Sequence, residues 1–322
     1  MKVVVLCYEG LDGLSSAAMM ARMSHIKKYN FSLKTINYQT AQKEFEELKK
    51  ERNSVVFVLD FPPTELFDLN ELLQEITKNN TIYYWNTHAK TDDSYKQILA
   101  KYCKFVDVKF TECSAQMTWQ RFMAKDPVAK ELASIAYDFE FWQRQDERST
   151  KLSDLLMSKY DKRHLVDLLS KGVFWSEQFE ELRSDYLKKK EDKLKLLVKN
   201  LIFKDYLGSK FGIGKTSNLL STSDAGQRIL DHSNCDVSVS VYENGKISFR
   251  KKPECEIDLS KLAKLFNGGG HTYAASGQIK MEEELPFNVI DTNERWEKAL
   301  FFVHEKFMEF FTGQKEVELV AE

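Results

Sequence analysis

Gly268-Gly269-Gly270-His271, continued by Thr272-Tyr273-Ala274-Ala275-Ser276-Gly277, describes backbone that must approach something closely. Glycine reaches dihedral angles closed to other residues and leaves peptide N–H groups open to a ligand. His271 then stands at the edge of the concavity, where a ring nitrogen can donate to a phosphate oxygen. The plain counterpart is a glycine-rich turn at a helix end with an ordinary structural histidine.

Upstream of this stretch the texture is that of a second, mixed domain. Val237 to Tyr242, Glu243-Asn244-Gly245 and Lys246 to Phe249 read as a β-hairpin with an Asn-Gly turn. Leu259 to Phe266 reads as a short helix running toward the glycines. Arg295 to Phe311 is a closing amphipathic helix with Trp296, Leu300, Val303 and Phe307 on its core face. Gly212-Ile213-Gly214-Lys215-Thr216 resembles the end of a phosphate-binding P-loop. The required first glycine falls on Ser209, and no βα unit precedes it, so a nucleoside triphosphatase is not expected.

The N-terminal half has a different pattern. Lys2 to Leu6, Val55 to Leu59, Thr81 to Trp85 and Cys103 to Val108 are short apolar runs of the kind buried on both faces of a sheet. Ser15 to Lys28, Thr40 to Lys50 and Leu66 to Thr77 read as helices between them, so a doubly wound parallel sheet is the expected solution. Residues 112 to 203 turn helical, ending in a long helix from Glu177 to Lys199 whose Lys188-Lys189-Lys190 run is most simply a solvated face. The expected organisation is a parallel-sheet α/β domain over 1–190, a helical connector to about 205, and a smaller α/β domain over 206–322.

Composition narrows the function. Apolar residues are 43% of the 322 and aromatic residues 12%, enough for two packed cores. Forty-seven basic against 49 acidic side chains leave a net charge of −2, so any nucleic-acid footprint is a local patch. The five scattered cysteines form no CxxC pair, and there is no signal peptide or apolar run of 18 residues. Together these imply a reduced, intracellular setting, cytoplasmic or chromosome-associated. Glu44-Phe45-Glu46-Glu47 and Glu282-Glu283-Glu284 are acidic segments most simply read as solvated.

Parallel strands converge their C-terminal ends on one edge, and carboxylates there can hold divalent cations. Tyr8, Gly10 and Asp12 follow the first strand, Asp60 ends the second, and Asn86, Thr87 and His88 follow the third. Asp138 lies in the helical stretch Ile135 to Trp142. The plain reading of Asp12 and Asp60 is helix capping and strand-end turn chemistry.

The glycine stretch is similar to the GGGHxxAAG signature of the DHHA1 domain, the C-terminal, substrate-binding half of DHH-superfamily phosphoesterases, with Ser276 where the last glycine usually falls. That superfamily includes RecJ-type nucleases, nanoRNases, cyclic-dinucleotide phosphatases and the catalytically silent Cdc45. Its HxDxDG motif falls in register with Tyr8-x-Gly10-x-Asp12-Gly13, its second motif with Asp60, its Asp-His-His with Asn86-Thr87-His88, and its fourth with Asp138 or Asp146. Cys113-Ser114-Ala115 resembles the Ser-Ala helix after the third motif. Ser248-Phe249-Arg250 resembles the Ser-x-Arg strand whose arginine grips phosphate. The resemblance covers the whole chain.

What it implies is a degraded metal site beside a retained phosphate site. Asp12, Asp60, His88 and Asp138 would hold one Mn2+ or Mg2+ at best, while Gly10, Asn86, Tyr8 and Thr87 remove ligands of a two-metal centre. Arg250, Gly268, Gly269, Gly270 and His271 would still bind a substrate phosphate without metal. The expected function is a noncatalytic, RecJ/Cdc45-like subunit binding single-stranded DNA or a short oligonucleotide. By family analogy its partners would be replication proteins such as GINS and MCM. The competing expectation is a metal-dependent exonuclease or nanoRNase, its missing ligands replaced by Glu9 or Asp92-Asp93. A third is an adaptor that binds protein alone.

Overall fold

The computed structural model describes residues 1–62, 67–86, 93–108, 111–206, 208–279, 290 and 292–320, without the side chains of 107, 108 and 313–320. By its internal contacts the chain divides into two compact units, Met1–Ser184 and Asp185–Glu322.

The first unit runs β1 (Lys2–Tyr8), α1 (Leu11–Ile26), β2 (Asn30–Ile36), α2 (Ala41–Leu48), β3 (Ser54–Leu59), α3 (Leu69–Thr77), β4 (Thr81–Asn86), α4 (Asp93–Tyr102) and β5 (Phe105–Val108). The helices α5 (Ser114–Phe122), α6 (Pro127–Glu140), α7 (Glu147–Met157) and α8 (Lys162–Ser170) follow, and α9 (Glu177–Lys199) crosses the boundary between the units. The strands form a parallel sheet in the order β2-β1-β3-β4-β5, the doubly wound arrangement expected.

Alternation along the strands feeds two cores. Val3, Val5, Cys7, Phe57, Leu59 and Trp85 face one, with α1, α5, α6 and α8. Val4, Leu6, Val56, Val58, Ile82 and Tyr84 face the other, with α2 and α3. Period-two alternation sends neighbouring residues to opposite faces, so a strand covered on both sides reads as continuously apolar. The direction of connection reverses between β1 and β3, and a crevice opens at such a switch point.

The second unit adds β6 (Ile202–Tyr206), β7 (Ser209–Thr216), α10 (Thr222–His232), β8 (Val237–Tyr242), β9 (Lys246–Lys251), α11 (Leu259–Lys264), β10 (Gly269–Gly270), β11 (Ala274–Gln278) and α12 (Asn293–Val320). Its six-stranded sheet has the order β10-β11-β9-β8-β7-β6, with β7 and β8 parallel and the other pairs antiparallel. Phe211, Ile213, Val239 and Phe249 pack against α11 and α12, where Trp296, Val303 and Phe307 are buried as their spacing predicts.

The P-loop look-alike is the strand β7. A Cβ on Gly212 would meet Ile229 and Cys235 at 3.0 Å, and one on Gly214 would meet Leu197 at 2.4 Å, so these glycines admit helices against the sheet. The Glu243-Asn244-Gly245 turn puts only Gly245 at positive φ, 76°. It is therefore a three-residue connection and not the two-residue Asn-Gly hairpin.

Candidate functional site

In the first unit the site forms where β1 and β3 end. Gly10 caps α1 with extended backbone, and Asp12 lies in the first helical turn, 2% exposed. Its position is dictated by Gly13. A Cβ there would stand 2.3 Å from the Tyr8 carbonyl oxygen, so only glycine lets the helix rest on the end of β1. Asp60 follows β3 in the left-handed region (φ 57°), which aspartate tolerates, and its N–H donates to the Trp85 carbonyl at 3.0 Å.

Asp12 is held from across the sheet edge. Its Oδ2 accepts the Ser114 N–H and its Oδ1 the Ala115 N–H, each at 2.7 Å. These are free donors at the start of α5, a natural anion site occupied by the protein's own carboxylate. Ser114 Oγ donates to Asp60 Oδ1 at 3.3 Å, and Asp12 and Asp60 are hydrogen-bonded to each other. Burial, then the charge of Asp12, drives Asp60 well above the carboxylate range. Asp12 is also raised by burial, opposed by the Ala115 and Ser114 N–H groups. Two buried carboxyls in contact oppose each other's ionisation, and the two N–H donors on Asp12 make Asp60 the member that favours the protonated form.

Glu140, at the end of α6, is near enough for its charge to act on Asp60 and for that of Asp12 to act on it. Its side chain reaches solvent, yet the surrounding protein and the charge of Asp12 push it up to about 7. Glu140 is the acidic member of this edge that the sequence reading passed over in favour of Asp138. Asp138 is 6% exposed and turned to the α6–α7 connection. It accepts the N–H groups of Gln145 (2.7 Å) and Asp146 (3.0 Å) and the Ser149 hydroxyl (2.5 Å). Asp146 caps α7 and pairs with Arg148 at 2.7 Å. Residues two apart on a helix point to different sides, which separates Asp138 from Glu140.

The substitutes weighed for missing ligands are engaged elsewhere. Glu9 pairs with Lys162 at 2.5 Å, and Asp93, exposed at the start of α4, pairs with Lys96 at 2.9 Å. Thr87, His88, Asp92 and Glu282 to Glu284 lie outside the described residues.

The described donors do not fit a two-metal cluster. Gly10 offers no side-chain ligand, Asn86 is a neutral amide that is fully buried, and both oxygens of Asp12 accept short N–H bonds. Among the described residues no group of three or more His, Cys, Asp and Glu side chains is arranged to hold a metal ion.

The second unit has its own concavity. A cavity of about 160 Å³ is lined by Thr222 at the start of α10, by Ser248, Phe249 and Arg250 of β9, by Gly269 and Gly270, and by Ala274 to Ser276. In the register Ser248 opposes Ser276 and Arg250 opposes Ala274. Arg250 is half-buried, and its Nη2 donates to Ser223 Oγ at 2.8 Å. Burial pulls its guanidinium below the usual value, opposed by the nearby Tyr242, Asp224 and Tyr273. Gly226 makes room for it, since a Cβ there would stand 2.7 Å from Arg250 Cδ. A guanidinium, hydroxyls and the N-terminal turn of an 11-residue helix thus lie together at this cavity.

Two of the glycines are fixed by close packing, and two line the cavity. A Cβ on Gly268 would stand 2.0 Å from the Ser276 carbonyl oxygen, and Gly270, at φ 149°, would place one 2.4 Å from Ala275 Cα. Gly268 therefore packs the hairpin, while Gly269 and Gly270 line the cavity. The helix start at Thr222 was missed, although Ser221 followed three residues later by Asp224 is a capping signal.

No family model matches this sequence, and no curated protein matches it. Solved structures do. RecJ in complex with Mn2+ from Thermus thermophilus is similar over 96% of this chain and 52% of that one, at 12% identity and a TM-score of 0.61. The chain thus spans about half of that RecJ. The pGpG-specific phosphodiesterase PggH from Vibrio cholerae is similar over 95% of this chain and 99% of that one, at 12% identity and a TM-score of 0.50. CDC45 from Entamoeba histolytica is similar over 95% of both chains, at 9% identity and a TM-score of 0.51.

The fold is that of RecJ-like DHH proteins. These three relatives belong to the DHH superfamily, and at such identities the likeness is one of fold.

Proposed function

We propose that this chain is a catalytically degenerate, RecJ-like DHH protein. In this reading it binds the phosphate of a single-stranded or short nucleic acid as a subunit in DNA replication or repair. The observation that carries the proposal is the state of Asp12. It spends both oxygens on the N–H groups of Ser114 and Ala115, beside a buried Asp60 whose carboxyl is pushed up by burial and by the charge of Asp12. A carboxylate so held is a structural anchor, and hydrolysis through two cations needs several more oxygens than the described residues of this edge provide.

The pocket at Arg250, Thr222 and Gly269-Gly270 supports binding of phosphate by charge and backbone dipoles alone. In this reading the first unit corresponds to the DHH half and the second to the DHHA1 half. Glu140 favours a second reading, a Mn2+- or Mg2+-dependent phosphodiesterase, because it adds a carboxyl electrostatically linked to Asp12 and Asp60.

One assay separates the two. End-labelled DNA and RNA of 2–20 nucleotides are incubated with the chain in excess Mn2+, and binding of the same ligands is measured. The expected result is binding without cleavage, weakened about 10-fold or more by Arg250→Ala, as expected for loss of a charge-assisted phosphate contact. Cleavage that disappears in the Asp12→Ala, Asp60→Ala double variant would overturn the degenerate reading.

Gly10→Asp supplies a complementary test. Its Cβ would lie 3.9 Å from Asp60 Oδ2 and 3.5 Å from the Tyr8 ring, so the side chain has room beside the pair. The variant is expected to gain a Mn2+-dependent rise in melting temperature that the wild type lacks, because a further carboxylate directly beside Asp12 and Asp60 supplies the missing oxygens. An equal Mn2+ response in wild type and variant would contradict this account of the site.

A further inference from the structure

We propose that Tyr273, backed by His271, is a stacking platform for the nucleobase that adjoins the phosphate held at Arg250. This deepens the nucleic-acid-binding reading and rests on it.

The residues between β10 and β11 form a tight tip, closed by the His271 N–H donating to the Ala274 carbonyl at 2.8 Å. The Leu259 N–H, at the start of α11, donates to the Thr272 carbonyl at 3.1 Å and ties the tip to the body of the unit. On this anchored tip the rings of His271 and Tyr273 lie parallel, with centroids 5.3 Å apart and planes within 7°. Tyr273 is 61% exposed although one face rests on His271, so its other face is open to solvent. A tyrosine usually buries its ring, and here the fold orders one outward on a braced support.

Position gives the platform its ligand. Ala274, the next residue after Tyr273, is the cross-strand partner of Arg250. Gly270 and Ala274, which flank His271 to Tyr273, both line the cavity. A phosphate at Arg250 and a planar group on Tyr273 are therefore neighbours, and the molecule that offers both is a nucleotide unit. Stacking accepts any base because every base has a π-face, so this contact grips an end without reading its sequence. The structure places no base-edge reader on the tip, and the proposal claims no base preference.

The test measures affinity of the full chain for two probes by calorimetry. One is a 5′-phosphorylated trinucleotide, and the other is the same trimer with its 5′ base removed and its phosphates kept. Tyr273→Ala is expected to weaken the complete trimer about 5- to 150-fold and leave the abasic trimer unchanged. Tyr273→Phe, which keeps the ring and loses the hydroxyl, is expected to bind as wild type does. Arg250→Ala is expected to weaken both probes alike.

Three outcomes would overturn the platform. Unchanged affinity of Tyr273→Ala for the complete trimer, with Arg250→Ala still impaired, removes the platform and leaves the phosphate pocket standing. Equal weakening of both probes by Tyr273→Ala assigns the ring to hairpin packing. Absence of binding by wild type, or no effect of Arg250→Ala, removes the underlying reading and the platform together.

Discussion

Gly13→Ala is expected to destabilise the first unit by about 3 kcal/mol, near the upper end for overpacking a core. The added Cβ would stand 2.3 Å from the Tyr8 carbonyl oxygen and 3.1 Å from the Tyr8 carbonyl carbon and amide nitrogen, all backbone atoms of β1. No rotamer change relieves such a contact, so α1 must move. That helix buries Leu11, Leu14, Ala17, Ala18, Met19 and Met20 among α5, α6 and α8, and close-packed interiors transmit the shift. Asp12 is adjacent and would lose the geometry of its 2.7 Å bonds to Ser114 and Ala115.

Urea unfolding followed by the fluorescence of Trp85, Trp119, Trp142 and Trp175 measures the loss. Gly10→Ala is the control, because its Cβ would meet side-chain atoms alone and at ordinary contact distance, the Tyr8 ring at 3.5 Å and Asp60 Oδ2 at 3.9 Å. It is expected to cost about 0.5–1 kcal/mol as a weaker helix cap. Equal costs at the two glycines would remove the steric account of the Asp-Gly pair.

That pair shows what a sequence can and cannot carry. Asp12 and Asp60 were legible because strand ends and a helix start converge on one edge of any doubly wound sheet. The strands β1, β3 and β4 were equally legible, since burial on both faces leaves no polar residue to break the run. β2 was not, because it is the edge strand, only partly buried, and Asn30, Ser32, Lys34 and Thr35 interrupt its pattern.

Asp138 and Glu140 expose a further limit. Both lie on α6, and choosing between them needs the rotation of the helix, which its neighbours fix. Gly212 and Gly214 are the reverse case. Their spacing imitates a phosphate loop, while their role is to admit Leu197, Ile229 and Cys235 against a strand. In the glycine-rich tip the sequence indicated close approach at Gly268 and Gly270. The outward Tyr273 ring depends on the turn that orders it and could not be read from residue type.

Asp60→Asn is expected to stabilise the chain at neutral pH and to flatten its pH dependence. Asp60 is buried, and its carboxyl is raised well above its ordinary value by burial and the charge of Asp12. In the unfolded chain the same group ionises near pH ~4. Above that pH the folded state binds the proton and the unfolded state does not, so stability falls as pH rises. The slope is about 1.4 kcal/mol per pH unit until the folded pair releases its proton. Below the unfolded value both states are protonated and the loss vanishes.

An asparagine amide keeps the geometry of the protonated carboxyl. It can donate to Asp12 and accept from Ser114 while never ionising, so the variant should match wild type near pH 4 and exceed it at pH 7 by up to about 4 kcal/mol, less about 1.4 kcal/mol for each unit below pH 7 at which the folded pair releases its proton. Asp12→Asn should act in the opposite sense. An amide has one acceptor oxygen for two N–H donors, Ser114 and Ala115, and leaves one unsatisfied at every pH, at a cost of about 1–3 kcal/mol.

Denaturant melts of the three proteins from pH 4 to pH 8, in chelator, decide the point. An Asp60→Asn advantage over wild type that does not grow with pH, or a variant weaker than wild type at pH 7, would mean that Asp60 is ionised in the folded chain. The edge would then carry two charges and not one, which is the electrostatic state a cation requires, and the degenerate reading of the site would fall with it.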